Sequence, residues 1–226
     1  MLNFGESMNS RDRILKRLRE TKYIKKDVAL PTVSDEQTFA DYPLSRDKLL
    51  SCFKKQFIDL NGEIYIIPNL KEAADKTFEI INTLPEKTCL IQSTPFLEEI
   101  YSKNELLLRF VEEDLSMDSK VFAKYEVGIT AADVLVARTG SILISSLFGG
   151  GRRLSVLPPI HMVIAREEQI VYSLEQAIQN FAQDKAFGSY ATIITGPSRT
   201  SDIEKQLVLG AHGPKRLILI LIADSS

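Results

Sequence analysis

The run Leu217–Ile222 alternates leucine and isoleucine without a polar interruption. Successive side chains of a strand point to opposite faces, so such a run is satisfied only where both faces of a sheet are covered, as in a parallel sheet held between two layers. Shorter stretches of strand character recur at Ile64–Ile67, Cys89–Gln92, Leu106–Val111, Val134–Ala137, Ile142–Ser145, Met162–Ala165 and Ala191–Thr195. Helical patterns separate several of them. Ser45 precedes a helix whose buried face is Leu49, Leu50, Phe53, Phe57 and Ile58, with Gly62 just past its end. Asn69 opens a second helix reaching about Leu84, a short one follows Pro95, and Ser173 with Gln176 forms a capping box for another. This alternation predicts a three-layer α/β/α domain with a mainly parallel sheet. Ahead of it, Ser10 caps an amphipathic helix carrying Ile14, Leu15 and Leu18, and the polar stretch from Tyr23 to Pro43 reads as loop. The expected organisation is an N-terminal appendage of helix and loop, residues 1–44, and an α/β domain, residues 45–226.

Side chains with chemistry concentrate between Ala191 and Pro214. Gly196 and Pro197 end a strand, Ser198, Thr200 and Ser201 offer hydroxyls at the start of an expected helix, and Arg199 adds a planar fork that matches carboxylate or phosphate. Asp202 and Glu204 follow. The same residues read equally well as a capped turn, with both carboxylates complementing the helix dipole. A second cluster comprises Thr139-Gly140-Ser141 and then Ser155, Pro158, Pro159 and His161. The turn of Thr139–Ser141 is expected to join two strands tightly, as a hairpin. Arg152 and Arg153 follow three glycines, which suits either bidentate recognition of an anion or a loop whose arginines are merely solvated. Of the two histidines, His161 opens an apolar run and His212 lies beside Gly213-Pro214. Either is a candidate acid or base, because an unperturbed imidazole titrates near neutral pH. Asp133, beside the expected strand Val134–Ala137, is open to two readings, a carboxylate facing a ligand or a turn-capping carboxylate, of which the turn cap is preferred.

Thr139-Gly140-Ser141, the segment SVLPPIH at Ser155–His161, GPSRTSDIE at Gly196–Glu204 and the following GAHGP, in this order and spacing, resemble the lactate utilization protein C family, also called the LUD domain. The resemblance is strong over roughly the last hundred residues and covers the first half in outline. Arg138 departs from the pattern, standing where the family usually has glutamate. The family is similar to a superfamily of glucosamine-phosphate deaminases, ribose-phosphate isomerases, CoA transferases and formyltetrahydrofolate cyclo-ligases, which bind anionic ligands over the carboxyl ends of the strands. The resemblance therefore implies that the Thr-Gly-Ser, Gly-Pro-Ser-Arg-Thr and His-Gly-Pro loops gather at that edge. By residue chemistry the candidate ligand-binding groups are Thr139, Gly140, Ser141, Arg152, Arg153, Ser155, Gly196, Ser198, Arg199 and Thr200, and His161, His212, Asp202 and Glu204 are the candidate catalytic groups. The resemblance also implies a place in a system that oxidises L-lactate to pyruvate, with iron–sulfur proteins as partners. The alternative is a stand-alone enzyme of the superfamily acting on a phosphosugar, CoA ester or folate.

Composition limits these readings. The chain has only Cys52 and Cys89, too few for a cluster that ordinarily takes four thiolates, so any iron–sulfur centre is expected in the partners and no cofactor in this chain. His161, His212, Asp202 and Glu204 do not have the spacing of a metal motif, and no metal is expected. There is no Gly-x-Ser-x-Gly elbow for a serine nucleophile and no Gly-x-Gly-x-x-Gly dinucleotide fingerprint. The 28 basic and 30 acidic residues are dispersed, which argues against nucleic acid. No window approaches a membrane span or a signal-peptide core, so a cytoplasmic protein is expected.

Overall fold

The structure is a computed structural model that describes residues 10–20, 45–101, 108–111, 119–146, 151–183, 190–200, 208–209 and 213–223. The chain divides into two units, Met1–Thr38 and Phe39–Ser226. The described part of the first is helix α1, Ser10–Glu20.

The second unit is built on a six-stranded sheet whose strands all run parallel. In chain order they are β1 (Glu63–Ile67), β2 (Cys89–Gln92), β3 (Leu108–Val111), β4 (Val127–Ala131), β7 (Ile160–Arg166) and β12 (Arg216–Ile222). Their spatial order is β1-β12-β7-β4-β2-β3. The Leu/Ile run is thus an interior strand, paired with β1 on one side and β7 on the other, and Leu217–Ile222 are buried throughout.

Its two faces feed two cores. Ile218, Ile220 and Ile222 meet Ile160, Met162 and Ile164 of β7 beneath α3 (Leu70–Asn82) and α4 (Pro95–Tyr101). Leu217, Leu219 and Leu221 meet Phe53 and Phe57 of α2 (Arg46–Asp59) and the inner face of a second, four-stranded sheet. That sheet contains β5 (Val134–Val136), β6 (Ser141–Ser145), β8 (Ile170–Val171) and β9 (Ala191–Ile194), in the order β8-β5-β6-β9. Period-two alternation gives it two apolar faces: Leu135, Ile142 and Ile144 point to the main sheet, while Val134, Val136 and Leu143 pack with Ala177 of α7 (Leu174–Gln183). Short helices α5 (Ser119–Phe122) and α6 (Gly151–Val156) bring Phe122 and Leu154 against Leu90 of β2. A two-stranded ribbon, β10 (Arg199–Thr200) with β11 (Val208–Leu209), completes the described elements.

Local capping follows the sequence. The Asn69 side chain accepts the Glu72 N–H at 2.9 Å, and Ser173 and Gln176 close their box at 3.3 Å in each direction. Thr139–Ser141 does lie in a hairpin, with β5 and β6 antiparallel. Four expectations are corrected. Val127–Ala131 is a central strand that the strand-like stretches of the sequence do not include. Gly128 is needed there because a Cβ would sit 2.2 Å from the Leu154 carbonyl oxygen. Gly151–Val156 is helix rather than loop. Arg199 and Thr200 are extended and paired with Val208 and Leu209 rather than opening a helix. Ile58 is 48% exposed, lying off the face that buries Phe53 and Phe57.

Truncating β12 at its centre removes contacts from the core beneath α2, so Leu219→Ala is expected to lower stability by about 2–5 kcal/mol. Urea unfolding at constant slope checks this.

Candidate functional site

The residues singled out in the sequence do converge, but on the amino-terminal edge of the main sheet. Ser141 Oγ donates to Thr139 Oγ1 at 2.8 Å and lies 2.9 Å from Thr195 Oγ1, which joins the Thr-Gly-Ser turn to the end of β9. Ser198 N–H donates to Pro214 O at 2.9 Å, and a Cβ on Gly213 would lie 3.2 Å from Ser198 Cβ. Gly140 and Gly196 have φ of 62° and 85°, a region that favours glycine. A Cβ there would press on the backbone of Gln56–Phe57 and of Leu60 respectively, so both turns close directly onto the C-terminal half of α2. Lys215 N–H donates to Pro159 O at 2.7 Å, tying the Pro-Pro segment before β7 to the entry of β12. The expected gathering at the carboxyl edge is therefore corrected: Gly213–Lys215 and Pro158–Pro159 precede their strands, and β9 belongs to the smaller sheet.

The other candidates are dispersed. Arg152 lies over the Tyr190 ring at 5.9 Å and Arg153 over Phe122 at 5.2 Å, while Ser155 Oγ donates to Arg152 O at 3.0 Å. Arg199 and Thr200 contribute backbone to the ribbon. Asp202, Glu204, His212, Phe148–Gly150 and Glu112–Asp114 lie outside the described residues. His161 has no exposed surface; its Nε2 is 2.9 Å from Thr130 Oγ1 and its Nδ1 has no partner among the described residues. Burial holds this imidazole far below its usual range, at about 3, so it is neutral at physiological pH. Among the described residues no group of three or more His, Cys, Asp or Glu side chains is placed to hold a metal ion. No described helix is long and apolar enough to cross a membrane.

Open volume lies at the opposite, carboxyl edge. A cleft of about 380 Å³ is lined from the ends of β2, β4 and β7, by Gln92 and Phe96, Asp133, Arg166 and Gln169, with Ser145 of β6 on its wall. Its rim is stitched rather than loose. Gln169 donates to Ala132 O at 2.6 Å and accepts the Arg166 N–H at 2.5 Å, which fixes the 3-10 turn Glu167–Gln169 against the β4–β5 connection. Gln92 Oε1 accepts the Ala131 N–H at 3.2 Å. The Arg166 guanidinium stacks over Phe96 at 5.0 Å. The Asp133 carboxylate accepts the Ser145 N–H at 2.6 Å and its hydroxyl at 3.3 Å, and burial raises its carboxyl above the usual range against those two bonds. Asp133 is therefore more than a turn cap. The cleft pairs a guanidinium with a partly desolvated carboxylate amid mainly apolar walls, an arrangement suited to orienting a small polar ligand. Sequence reasoning missed Arg166, Gln92 and Gln169 because the motif-rich stretches drew attention to the other edge. The rule that α/β sheets bind ligands beyond their carboxyl ends would have found them once β4 was recognised.

Fold and cleft define an α/β protein with an open cleft at the carboxyl edge of a parallel sheet. The chain belongs to the LUD domain family, whose model matches residues 50–222. It is 30% identical over 182 residues to Lactate utilization protein C of Bacillus subtilis (strain 168), covering 78% of this chain and 69% of that protein. With Lactate utilization protein C of Shouchella clausii (strain KSM-K16) it shares 28% identity over 189 residues, covering 80% and 81%. A crystal structure of a DUF162 family protein from Deinococcus radiodurans has the same fold, with a TM-score of 0.62 at 22% identity over 80% of this chain and 99% of that one.

The buried histidine makes stability depend on pH. In the unfolded chain the imidazole takes a proton near 6.5, in the folded chain only near 3, so between these values the unfolded state binds more protons. Stability is then fully present above about pH 6.5 and falls as pH drops through the window, by up to about 1.4 kcal/mol per pH unit from this group. Unfolding free energies of wild type and His161→Gln between pH 7 and about 4 are expected to show a shallower slope for the variant.

Proposed function

We propose that this chain is a component of a lactate utilization system and that it binds a small monoanionic ligand in the carboxyl-edge cleft. The observation that carries the reading is Arg166, stacked on Phe96 and lining the cleft at the carboxyl edge of the main sheet. The relatives named Lactate utilization protein C, which align with most of this chain, support the pathway.

Oxidising lactate to pyruvate releases two electrons and two protons, and the electrons need a redox centre. This chain's own thiols do not fit an iron–sulfur cluster. Cys52 is half-buried with its thiol directed at Ala137 O, 3.5 Å away, and burial pushes the Cys89 thiol up to about 12, so it stays protonated. The electrons are accordingly assigned to iron–sulfur partner proteins, and the ligand site to this chain.

Deleting the gene in its host is expected to abolish growth on lactate as sole carbon source while sparing growth on glucose. Complementation with wild type restores growth and Arg166→Gln does not, at equal protein level. A tagged chain is expected to retain iron–sulfur proteins from a host lysate, seen as iron, acid-labile sulfide and visible absorbance in the eluate. Normal growth of the deletion strain on lactate would remove the proposal.

A further inference from the structure

Strand β9 is the last strand of the small sheet. It pairs with β6 on one side, and among the described residues no strand pairs with its other side. The Ser146 N–H donates to Tyr190 O at 2.9 Å and the Tyr190 N–H donates to Ser146 Oγ at 3.1 Å, so the backbone of Tyr190 faces β6. Antiparallel pairing alternates along a strand. The N–H and C=O of Thr192 and Ile194 therefore face β6 as well, while those of Ala191 and Ile193 point outward. Such a row is a template for another strand.

This edge has none of the usual protection by charge, proline or shortness. Of the other sheet edges, β1 opens on Glu63, β3 contains Arg109 and β8 has two residues, whereas Tyr190–Thr195 carries neither charge nor proline. Its apolar side chains are also uncovered. Ile193 shares the face of its register partner Leu143, yet Leu143 is buried with Ala177 and Ile193 is 49% exposed. On the opposite face Ile194 packs toward the main sheet, while Tyr190 is 46% exposed.

The strand complements itself when inverted, and this selects the occupant. A two-fold axis through Thr192 sets Tyr190 against the second copy's Ile194, Ala191 against its Ile193 and Thr192 against its Thr192. Aromatic with β-branched, small with large and threonine with threonine are all favourable or well-fitting cross-strand neighbours, and no like charges oppose. The outward N–H and C=O groups of Ala191 and Ile193 then bond in both directions across the axis. The Arg152 guanidinium stacked on Tyr190 is not forced onto its counterpart, because the two Tyr190 residues fall at opposite ends of the pair. They are roughly 13 Å apart along the strands, beyond the screening length of about 8 Å at physiological salt.

We propose that two copies of this chain associate through β9, joining their small sheets into one continuous sheet across a two-fold axis at Thr192. The contact is self-complementary and closed, so it consumes the open edge without propagating into a fibre. It is independent of what the cleft binds.

Sedimentation equilibrium of the purified full-length chain over a concentration series tests this. Wild type is expected to approach twice the mass of one chain. Ile193→Lys, which puts a charge on the uncovered strand, is expected to raise the dissociation constant about tenfold or more. The position of the contact is read separately. Residues opposed in a non-hydrogen-bonded antiparallel pair lie about 4.5 Å apart at Cα, within disulfide reach. Thr192→Cys under mild oxidation is therefore expected to give a covalent dimer on a non-reducing gel. Wild type, with Cys52 half-buried and Cys89 buried, and the exposed control Ile178→Cys on α7 are expected to remain single chains. A monomer throughout the series, a dimer that Ile193→Lys leaves unchanged, or a Thr192→Cys chain that cross-links no faster than Ile178→Cys would each overturn the proposal. Should a melting curve show that Ile193→Lys does not fold, the wild-type mass and the Thr192→Cys cross-link decide.

Discussion

Everything in the larger unit depends on β12 being buried on both faces. Its leucines and isoleucines divide strictly between two cores, one beneath α3 and α4 and the other beneath α2 and the small sheet. Each fully buried aliphatic side chain is worth about 1.5–3 kcal/mol, and sliding the strand by one residue would exchange every contact on both faces. Register is fixed where the strand begins. Arg216 donates two hydrogen bonds to the Glu63 carboxylate, at 2.7 and 2.8 Å, holding the first residue of β12 to the first residue of β1, and Lys215 is bonded to Pro159 on the other side. The ion pair is partly exposed and adds little stability. It serves alignment.

The two edges of this sheet are put to different use. At the amino edge, glycines with no room for a Cβ bring the hairpin turn and the Gly-Pro turn onto α2, and hydroxyl and backbone bonds join the segments. Of the residues that carry the family resemblance, several of the described ones lie there, where the two turns pack onto α2. At the carboxyl edge the connections spread apart, and side chains from three of them face a common volume. A dense motif thus marks where the chain must come together, while the polar residues lining open space are scattered singly.

That contrast explains what could be read from the sequence. The Leu/Ile run, the Asn69 cap and the Ser173–Gln176 box are local signals, and each is found where it was expected. Strand β4 was not legible, because Gly128 looks like a turn residue until Leu154 is seen packing against it. Ser198-Arg199-Thr200 looks like a helix start until Val208 and Leu209 are seen pairing with it. The cleft was legible only in part, through Asp133, because Arg166 acquires its meaning from Phe96, seventy residues earlier in the chain. Leu154 and Phe96 lie far in sequence from Gly128 and Arg166, and no local pattern encodes either contact.

The order of the strands also bears on how the molecule is made. Strand β1 is laid down early, yet among the described residues its only neighbour in the sheet is β12, and β12 comes after every other described strand of that sheet. While the nascent chain lengthens, β2, β3, β4 and β7 can pair among themselves as they emerge from the ribosome, and α2 and β1 have no strand to join. A ribosome paused before Arg216 therefore holds a sheet with an open flank on β7 and an orphaned strand carrying Ile64, Ile66 and Ile67. Both surfaces are templates for wrong pairing with neighbouring chains. The interval between completing β7 and releasing β12 is when this protein has most need of a chaperone.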